Sequence, residues 1–464
     1  MIKFYNTLSN KIELFRPIKE GVVHLYTCGP TVYDFAHIGN FRSYMFEDLL
    51  KRFLMFMGFS VKHVMNITDV DDKTIKGAFR EGIELKEYTK KYINSFFEDI
   101  DTLNINRADY YPLATEHIPD MVKIIKGLLQ KGIAYRKNGS IYFNISKFPN
   151  YGRLSNIDLK ELKPGISIES DEYEKESISD FALWKNRKGN EPYWDTEIGP
   201  GRPGWHIECS TMSTKYLGET FDIHCGGVDN IFPHHENEIA QSESYFGKKF
   251  VNYWLHCHHL IVEGEKMSKS KGNYYTLRDL IDKGVNPLDL RFLMLSTHYR
   301  KMLNFSFEAL EQSKISLKRI KDFIYELENR SFKDGENPKV KKIVNGFLQS
   351  FKNGLSNDLN ISVALASLFE MIKKVNILLL NDQIFDKDAK KIKETIYHID
   401  NVLGVLPAQK DQLIPEEIQK MIDERDKARV NKDYNRADKI RQDLLDKGIV
   451  LEDTKDGVRW KKIE

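Results

Sequence analysis

Residues 221–242, FDIHCGGVDNIFPHHENEIAQS, place several metal-capable side chains close together. The stretch reads as a short apolar strand, a turn on Gly226-Gly227 and a helix entered after Pro233. On that helix His234 and Glu238 stand four residues apart and leave the same face, one above the other. An imidazole and a carboxylate so placed can hold one metal ion, as in helical zinc sites; as a bare pair they can equally be a solvated surface contact. Cys28, Cys209, Cys225 and Cys257 add thiols. With no apolar signal core at the start of the sequence, these are expected as thiols or metal ligands rather than disulfides. The run His256-Cys257-His258-His259 also looks metal-capable. In a strand, however, alternate residues face opposite ways, so it cannot close one site by itself.

Two other segments suit phosphate. His37-Ile38-Gly39-Asn40 lies between a strand and a helix, where backbone amides favour an anion and an imidazole can donate to it. Gly39 there lets a planar ring come close. Lys266-Met267-Ser268-Lys269-Ser270 sets two lysines three apart on a loop bordered by Gly and Ser, able to reach a polyphosphate from the other side. Together they describe an ATP site whose lysines stabilise charge developing on leaving pyrophosphate.

The elements that must position these residues alternate between strand and helix. Residues 22–27 (VVHLYT) read as a buried strand ending at Cys28, residues 41–57 as an amphipathic helix, and 62–67 as a second strand followed by a helix start at Asp71-Asp72. This order predicts a parallel sheet with its chemistry outside the strands' carboxyl ends. Asn138-Gly139 between apolar triplets marks a hairpin. From there to 197 the sequence is polar and irregular, with Pro164-Gly165 and an acidic stretch at 169–176, and reads as an insertion between two halves of the sheet. A helix through Tyr216 and strands near 221 and 251–256 resume it. Four amphipathic segments between 310 and 403 predict an antiparallel bundle. Pro407 and Pro415 bracket a linker, followed by helices over 416–431 and 435–447 and a hairpin ending at Trp460.

At 464 residues the chain exceeds what one core usually organises. Hydrophobic and charged contents of 41% and 30% fit a globular chain. A net charge of +2 means that any nucleic acid must meet local basic faces. No run approaches the roughly 20 apolar residues of a membrane span. The expectation is a cytoplasmic protein with no membrane partner.

The pair HIGN and KMSKS resembles the signature pair of class I aminoacyl-tRNA synthetases, whose first motif usually ends in His where Asn40 stands here. CGPTVYDFAHIGN, NITDVDDKTI, GWHIECS and DIHCGGVDNIFPHHENEIAQS, in that order, resemble segments of the cysteinyl-tRNA synthetase family. ERDKARVNKDYNRADKIRQDLLDKGIVLEDTKDGVRW resembles its anticodon-binding module. The resemblance implies one zinc ion per chain on Cys28, Cys209, His234 and Glu238; Cys225, at a strand end near Gly226, is the rival thiolate. It further implies an amino-acid pocket with Thr68, Trp205, His224 and Asp229. Trp205 would cover the bound side chain and Asp229 would pair with an ammonium group. His37, Gly39, Asn40, Lys266 and Lys269 would bind ATP, with His37 and both lysines catalytic, and Mg²⁺ would accompany the nucleotide. In the tail Arg425, Arg429 and Lys432 share a helical face, and Trp460 could stack on an unpaired base; these are the tRNA candidates.

The implied α/β fold is a Rossmann-like parallel-sheet catalytic core with an insertion, followed by an α-helical bundle and a small C-terminal anticodon-binding domain. The expected division is 1–132 and 198–260 for the two catalytic halves, 133–197 for the insertion, 261–305 for the KMSKS loop and stem-contact region, 306–406 for the bundle and 407–464 for the anticodon-binding domain. The implied activity is ligation of L-cysteine to tRNA(Cys) through cysteinyl-adenylate, by a monomer, with zinc selecting the substrate thiol.

Overall fold

An antiparallel pair, β1 (Lys3–Asn6) and β2 (Lys11–Leu14), leads into β3 (Val22–Thr27). The computed structural model describes residues 1–157, 180–407, 416–454 and 457–462. Pro164-Gly165, the acidic stretch 169–176, Pro415 and the Trp460 side chain lie outside the described residues. Alternation along β3 sends Val23 and Leu25 into the core of α1 (Ile38–Phe56), and Tyr26 into a second core on the opposite face. The helix starts at Ile38, three residues before the expected Phe41, because His37 caps it. β4 (Ser60–Met65) pairs in parallel with β3. Asp71 then caps α2 (Asp72–Glu81) by accepting from the Lys73 amide, and α3 (Leu85–Thr102) and α4 (Ile118–Gln130) follow.

β5 (Ala134–Lys137) and β6 (Ser140–Phe143) close over Asn138 and Gly139, whose φ values of 51° and 80° are the positive pair a two-residue hairpin needs. β7 (Phe181–Asn186) and β8 (Gly201–Pro203) extend them into an antiparallel sheet of order β5-β6-β7-β8. Two expectations are corrected here. The segment before 197 contains a buried strand, and residues 201–203 pair with it instead of with the catalytic core. Gly201 permits that pairing, since a Cβ there would sit 2.2 Å from the Lys185 carbonyl oxygen.

α5 (Trp205–Leu217), β9 (Phe221–Gly227), α6 (Glu236–Phe246) and β10 (Val251–Cys257) complete the core. The central sheet is wholly parallel, in the order β10-β9-β3-β4. Chain order reverses between β3 and β9, and such a switch point opens a crevice outside the carboxyl ends. β11 (Leu260–Val262) and β12 (Leu303–Phe305) pair in parallel around α7 (Leu277–Asp282) and α8 (Pro287–Ser296). The bundle is α9 (Phe307–Asn329), α10 (Pro338–Ser356), α11 (Ile361–Leu380) and α12 (Asp386–Leu403). The tail holds α13 (Glu416–Val430), α14 (Tyr434–Asp446) and the hairpin β13 (Ile449–Thr454) and β14 (Gly457–Lys462), around its own small core. Among the described residues no helix is long and apolar enough to cross a membrane.

One buried charge cluster ties the bundle to the catalytic core. Arg291 on α8 is fully buried and donates to Leu403 O at 2.7 Å, Leu103 O at 3.0 Å, Asn104 O at 2.9 Å and Asp48 Oδ2 at 2.6 Å. Asp48 on α1 also receives Arg52 Nε, which reaches its two oxygens at 2.9 and 2.8 Å. Removing Asp48 takes away the carboxylate that both guanidinium groups contact directly in the interior. Asp48→Ala should therefore destabilise by about 3–5 kcal/mol. Asp48→Asn, which keeps an acceptor, should lose less. Denaturant titration of the full chain checks both; equal loss in the two variants would put the effect down to packing.

Candidate active site

Cys28 leaves β3 at its carboxyl end, its amide donating to Cys225 O at 3.3 Å. Cys209 sits in the second turn of α5. Near the end of β9 the bare Gly226 lets His235 approach, since a Cβ there would lie 2.8 Å from His235 Cε1. A kink at Phe232, whose backbone is extended at φ −136° and ψ 131°, then leads through Pro233 into α6. It delivers His234, His235 and Glu238 to the interior, all buried.

Two donor sets result, each with its ligand atoms within 4.8 Å of one another: Cys28, Cys209, His234 and Glu238, and Cys28, His224, His235 and Glu238. Tetrahedral zinc with bonds of about 2.0–2.3 Å needs ligand atoms roughly 3.3–3.8 Å apart. His234 Nε2 lies 3.2 Å from Glu238 Oε1, His224 Nε2 3.0 Å from Glu238 Oε2, and Cys28 Sγ 3.3 Å from His235 Nε2. Cys225 belongs to neither set. It alternates with His224 along β9 and packs on the α1 face with Ile223, Leu255 and Cys257. Of the 256–259 run, His256 supports the cluster from behind: its Nε2 bonds His235 Nδ1 at 2.8 Å, and its Nδ1 bonds Thr7 Oγ1 at 2.7 Å.

The electrostatics suit a cation. Burial lifts the Glu238 carboxyl to about 8 against the pull of His234, and burial lowers both His224 and His234 to about 3. The Cys28 thiol is pushed well up by the adjoining Cys209 thiol and by burial, and Cys209 is raised by burial. Glu238 Oε1 is buried and accepts no hydrogen bond from any described group, although His234 Nε2 is within ion-pair distance. A buried acid, two thiols and neutral imidazoles, converging with an oxygen left over, are the donors a divalent ion needs and can ionise. The residues fit zinc.

On the nucleotide side His37 caps α1. Its Nδ1 accepts from the Asn40 amide at 3.3 Å, and Asn40 Oδ1 accepts from the His37 amide at 3.1 Å. Asn40 thus fixes the cap. The acceptor role of Nδ1 puts the proton of a neutral ring on Nε2, free to donate to an anion. Burial, outweighing Asp34, keeps the ring below its ordinary pKa and so neutral. The KMSKS loop packs against this turn. Ile38 N donates to Tyr275 O at 3.0 Å, and a Cβ on Gly39 would lie 2.7 Å from Met267 Cε. Lys269 Nζ is 2.6 Å from Asp34 Oδ2 and 5.0 Å from the Tyr274 ring, whose edge meets His37 at 5.1 Å. Lys266 is exposed.

Of the pocket candidates, Trp205 lies with its ring 4.1 Å from that of His234. Thr68 is buried and donates to Glu208 Oε2 at 2.8 Å, and His224 stacks on Trp254 at 4.5 Å. Asp229 is exposed at the rim, 3.2 Å from His259 Nδ1. In the tail one candidate is corrected. Arg425 is buried with Ile418 and Ile422 on the inner face of α13 and so is not presented to RNA, whereas Arg429 and Lys432 are exposed. Sequence reasoning missed His235, which carries the same kind of signal as His234, a three-residue spacing to Glu238. It also missed Asp34, Tyr274 and Glu208, whose partners are remote in sequence.

The family model described as tRNA synthetases class I (C) catalytic domain matches residues 14–315, and that of the DALR domain residues 350–407. The Cysteinyl-tRNA ligase anticodon binding domain matches 411–460. The cysteine–tRNA ligase of Chlamydia muridarum is 52% identical over 474 residues, covering 99% of each chain. That of Brachyspira hyodysenteriae is 50% identical over 470 residues, again covering 99% of each. The chain belongs to the cysteine–tRNA ligase family. It is therefore a class I ligase, as its motifs imply. Its fold recurs in Mycobacterium tuberculosis methionyl-tRNA synthetase in complex with methionyl-adenylate, with a TM-score of 0.59 at 14% identity over 83% of this chain and 90% of that one. A leucyl-tRNA synthetase of Agrobacterium radiobacter K84 gives 0.61 at 10% identity, over 84% and 85%. These likenesses bear out the Rossmann-like core with helical domains after it.

Proposed function

We propose that the chain joins L-cysteine to ATP as cysteinyl-adenylate, releasing pyrophosphate, and passes the cysteinyl group to the 2′-hydroxyl of the terminal adenosine of tRNA(Cys), releasing AMP. The carrying observation is the convergence of Cys28, Cys209, His234 and Glu238, within 4.8 Å, at the sheet edge that leads into the His37 cap. In the first step a carboxylate oxygen of cysteine attacks the α-phosphorus and the bridging bond to the β-phosphate breaks, its electron pair leaving with pyrophosphate. His37, fixed by Asn40, donates Nε2–H to phosphate oxygens. Lys266 and Lys269 offset charge gathering on the leaving group, and Mg²⁺ accompanies the nucleotide. Trp205 covers the substrate side chain and excludes water, Thr68 and His224 line the pocket, and Asp229 meets the ammonium group.

Zinc in this set would supply a soft centre that favours a thiolate sulfur over a hydroxyl. The set with two sulfurs is the better zinc seat of the two, and it is the one to which the family resemblance points. Arg429, Lys432 and Trp460 are the tail's proposed tRNA contacts. The same reading has the chain working as a cytoplasmic monomer.

Exchange of pyrophosphate into ATP and charging of total tRNA, run with each amino acid in turn, test the reading. Cysteine is expected to be the one that supports both. A folded chain ending at 407 should keep exchange and lose charging. Normal charging by that shortened chain, or equal use of another amino acid, would overturn it.

A further inference from the structure

Lys185 on β7 and Arg202 on β8 stand directly opposite one another in the inserted sheet, so both side chains leave the same face. Both are buried, and like charges so placed repel. They converge on Asp72 at the start of α2: Lys185 Nζ lies 3.0 Å from its Oδ2, and Arg202 Nη2 donates to its Oδ1. Arg202 Nε also faces Glu191 Oε2 at 3.6 Å. Burial raises the Asp72 carboxyl, but the two cations outweigh it and hold the group below its ordinary pKa. Asp72 therefore offsets a repulsion that the strand pairing builds in.

Both ends of this contact lead into the proposed cysteine pocket. Asp72 follows Thr68 by four residues, in a segment fixed where Asp69 accepts from the Thr115 amide at 3.0 Å and the Thr115 hydroxyl at 2.6 Å. Arg202 precedes Trp205 by three, and between them Gly204 N donates to Leu183 O on β7 at 3.0 Å. A Cβ on Gly204 would lie 2.0 Å from Ala182 O, so the backbone is held tight to β7 just before α5 carries Trp205 to His234. The Thr68–Glu208 bond joins the same two segments a second time.

We infer that Asp72 is a positioning residue which, by clamping Lys185 and Arg202, fixes the inserted sheet against the catalytic core and so sets Trp205 over the cysteine side chain. This rests on the reading of Trp205 as the cover of that pocket. The inserted sheet then serves amino-acid recognition without touching the substrate.

The test measures cysteine-dependent pyrophosphate exchange by the full-length chain across cysteine and ATP concentrations. Asp72→Ala should raise KM for cysteine about tenfold. KM for ATP and kcat should stay within about twofold, because the His37 cap and the KMSKS loop share no side chain with the clamp. Lys185→Met alone should change little, since Arg202 still holds Asp72. Added to Asp72→Ala, it should bring KM for cysteine back toward wild type by removing one of the two opposed charges. Asp72→Asn, which keeps an acceptor but no charge, should fall between wild type and Asp72→Ala, and it decides in the same way if Asp72→Ala does not fold. A wild-type KM for cysteine in both Asp72 variants, an equal rise in both KM values, or a rise that Lys185→Met does not relieve would overturn the inference. So would failure of both variants to fold, since the contact would then hold the fold instead of setting the pocket. Trp205→Ala separates the clamp from the reading beneath it. An unchanged cysteine KM in that variant would overturn Trp205 as the cover, whereas a raised one beside an unchanged Asp72→Ala would overturn the clamp alone.

Discussion

Cys209→Ser is expected to empty the metal site and to lower cysteine-dependent pyrophosphate exchange by more than about a hundredfold, above the usual cost of losing a partner one bond further out. ATP binding should barely change, because the His37 cap and the KMSKS loop share no side chain with the donor set. Serine offers a hydroxyl where Cys209 offers an ionisable sulfur, and the buried cluster around it has no spare thiol. Cys225 and Cys257 face the other side of the sheet. The effect on choice of substrate should be as large. Cysteine and serine differ by one atom, and a pocket that relies on shape rejects such a near-isostere by only about a hundredfold. Sulfur donors on a soft metal add a chemical criterion that shape lacks. A milder change, Glu238→Gln, should accordingly narrow the cysteine-to-serine ratio. Metal content by mass spectrometry, read beside exchange kinetics for both amino acids, decides the matter. A fully selective, active protein carrying no zinc would sink the idea. Metal kept in Cys209→Ser but lost in His224→Ala would move the ion to the set with two histidines.

Much of the catalytic core was legible because its signals are local. β3, β4, β9 and β10 announce themselves as short apolar runs, and His234 with Glu238 needs only the pitch of a helix. The inserted sheet was not legible. β7 is one apolar run inside a polar stretch, and β8 is three residues whose strand character exists only through pairing with Lys185 and Trp184. The start of α1 was misplaced because a His–Asn capping box carries no apolar signal.

One misplacement was avoidable from the sequence. Arg425 lies three residues after Ile422 and seven after Ile418, on the apolar stripe of α13, so burial was written into its spacing. The contacts of Asp34, Asp72 and Glu208 were not readable at all, since each partner comes from a different element brought near only by the fold.

Lys269→Ala should slow adenylate formation by about two to three powers of ten, the scale of removing one donor aimed at transition-state charge. Cysteine affinity should hold, because Lys269 touches none of the pocket residues. Lys269 is held by Asp34 at 2.6 Å, and the two side chains are 67% and 32% exposed. Ion pairs so open to water contribute at most about 1 kcal/mol. The triphosphate of ATP, carrying several charges, readily outbids one such carboxylate. Asp34 therefore parks the lysine beside the His37 cap without competing seriously with the substrate. Asp34→Asn should shift KM for ATP by no more than about fivefold and leave kcat nearly unchanged, while Lys269→Ala falls on kcat. Single-turnover adenylate formation, measured across ATP concentrations in both variants, separates the two roles. Wild-type rates in Lys269→Ala would remove this lysine from the chemistry, and a kcat loss in Asp34→Asn as large as that in Lys269→Ala would make the aspartate part of the reacting machinery, not a resting place.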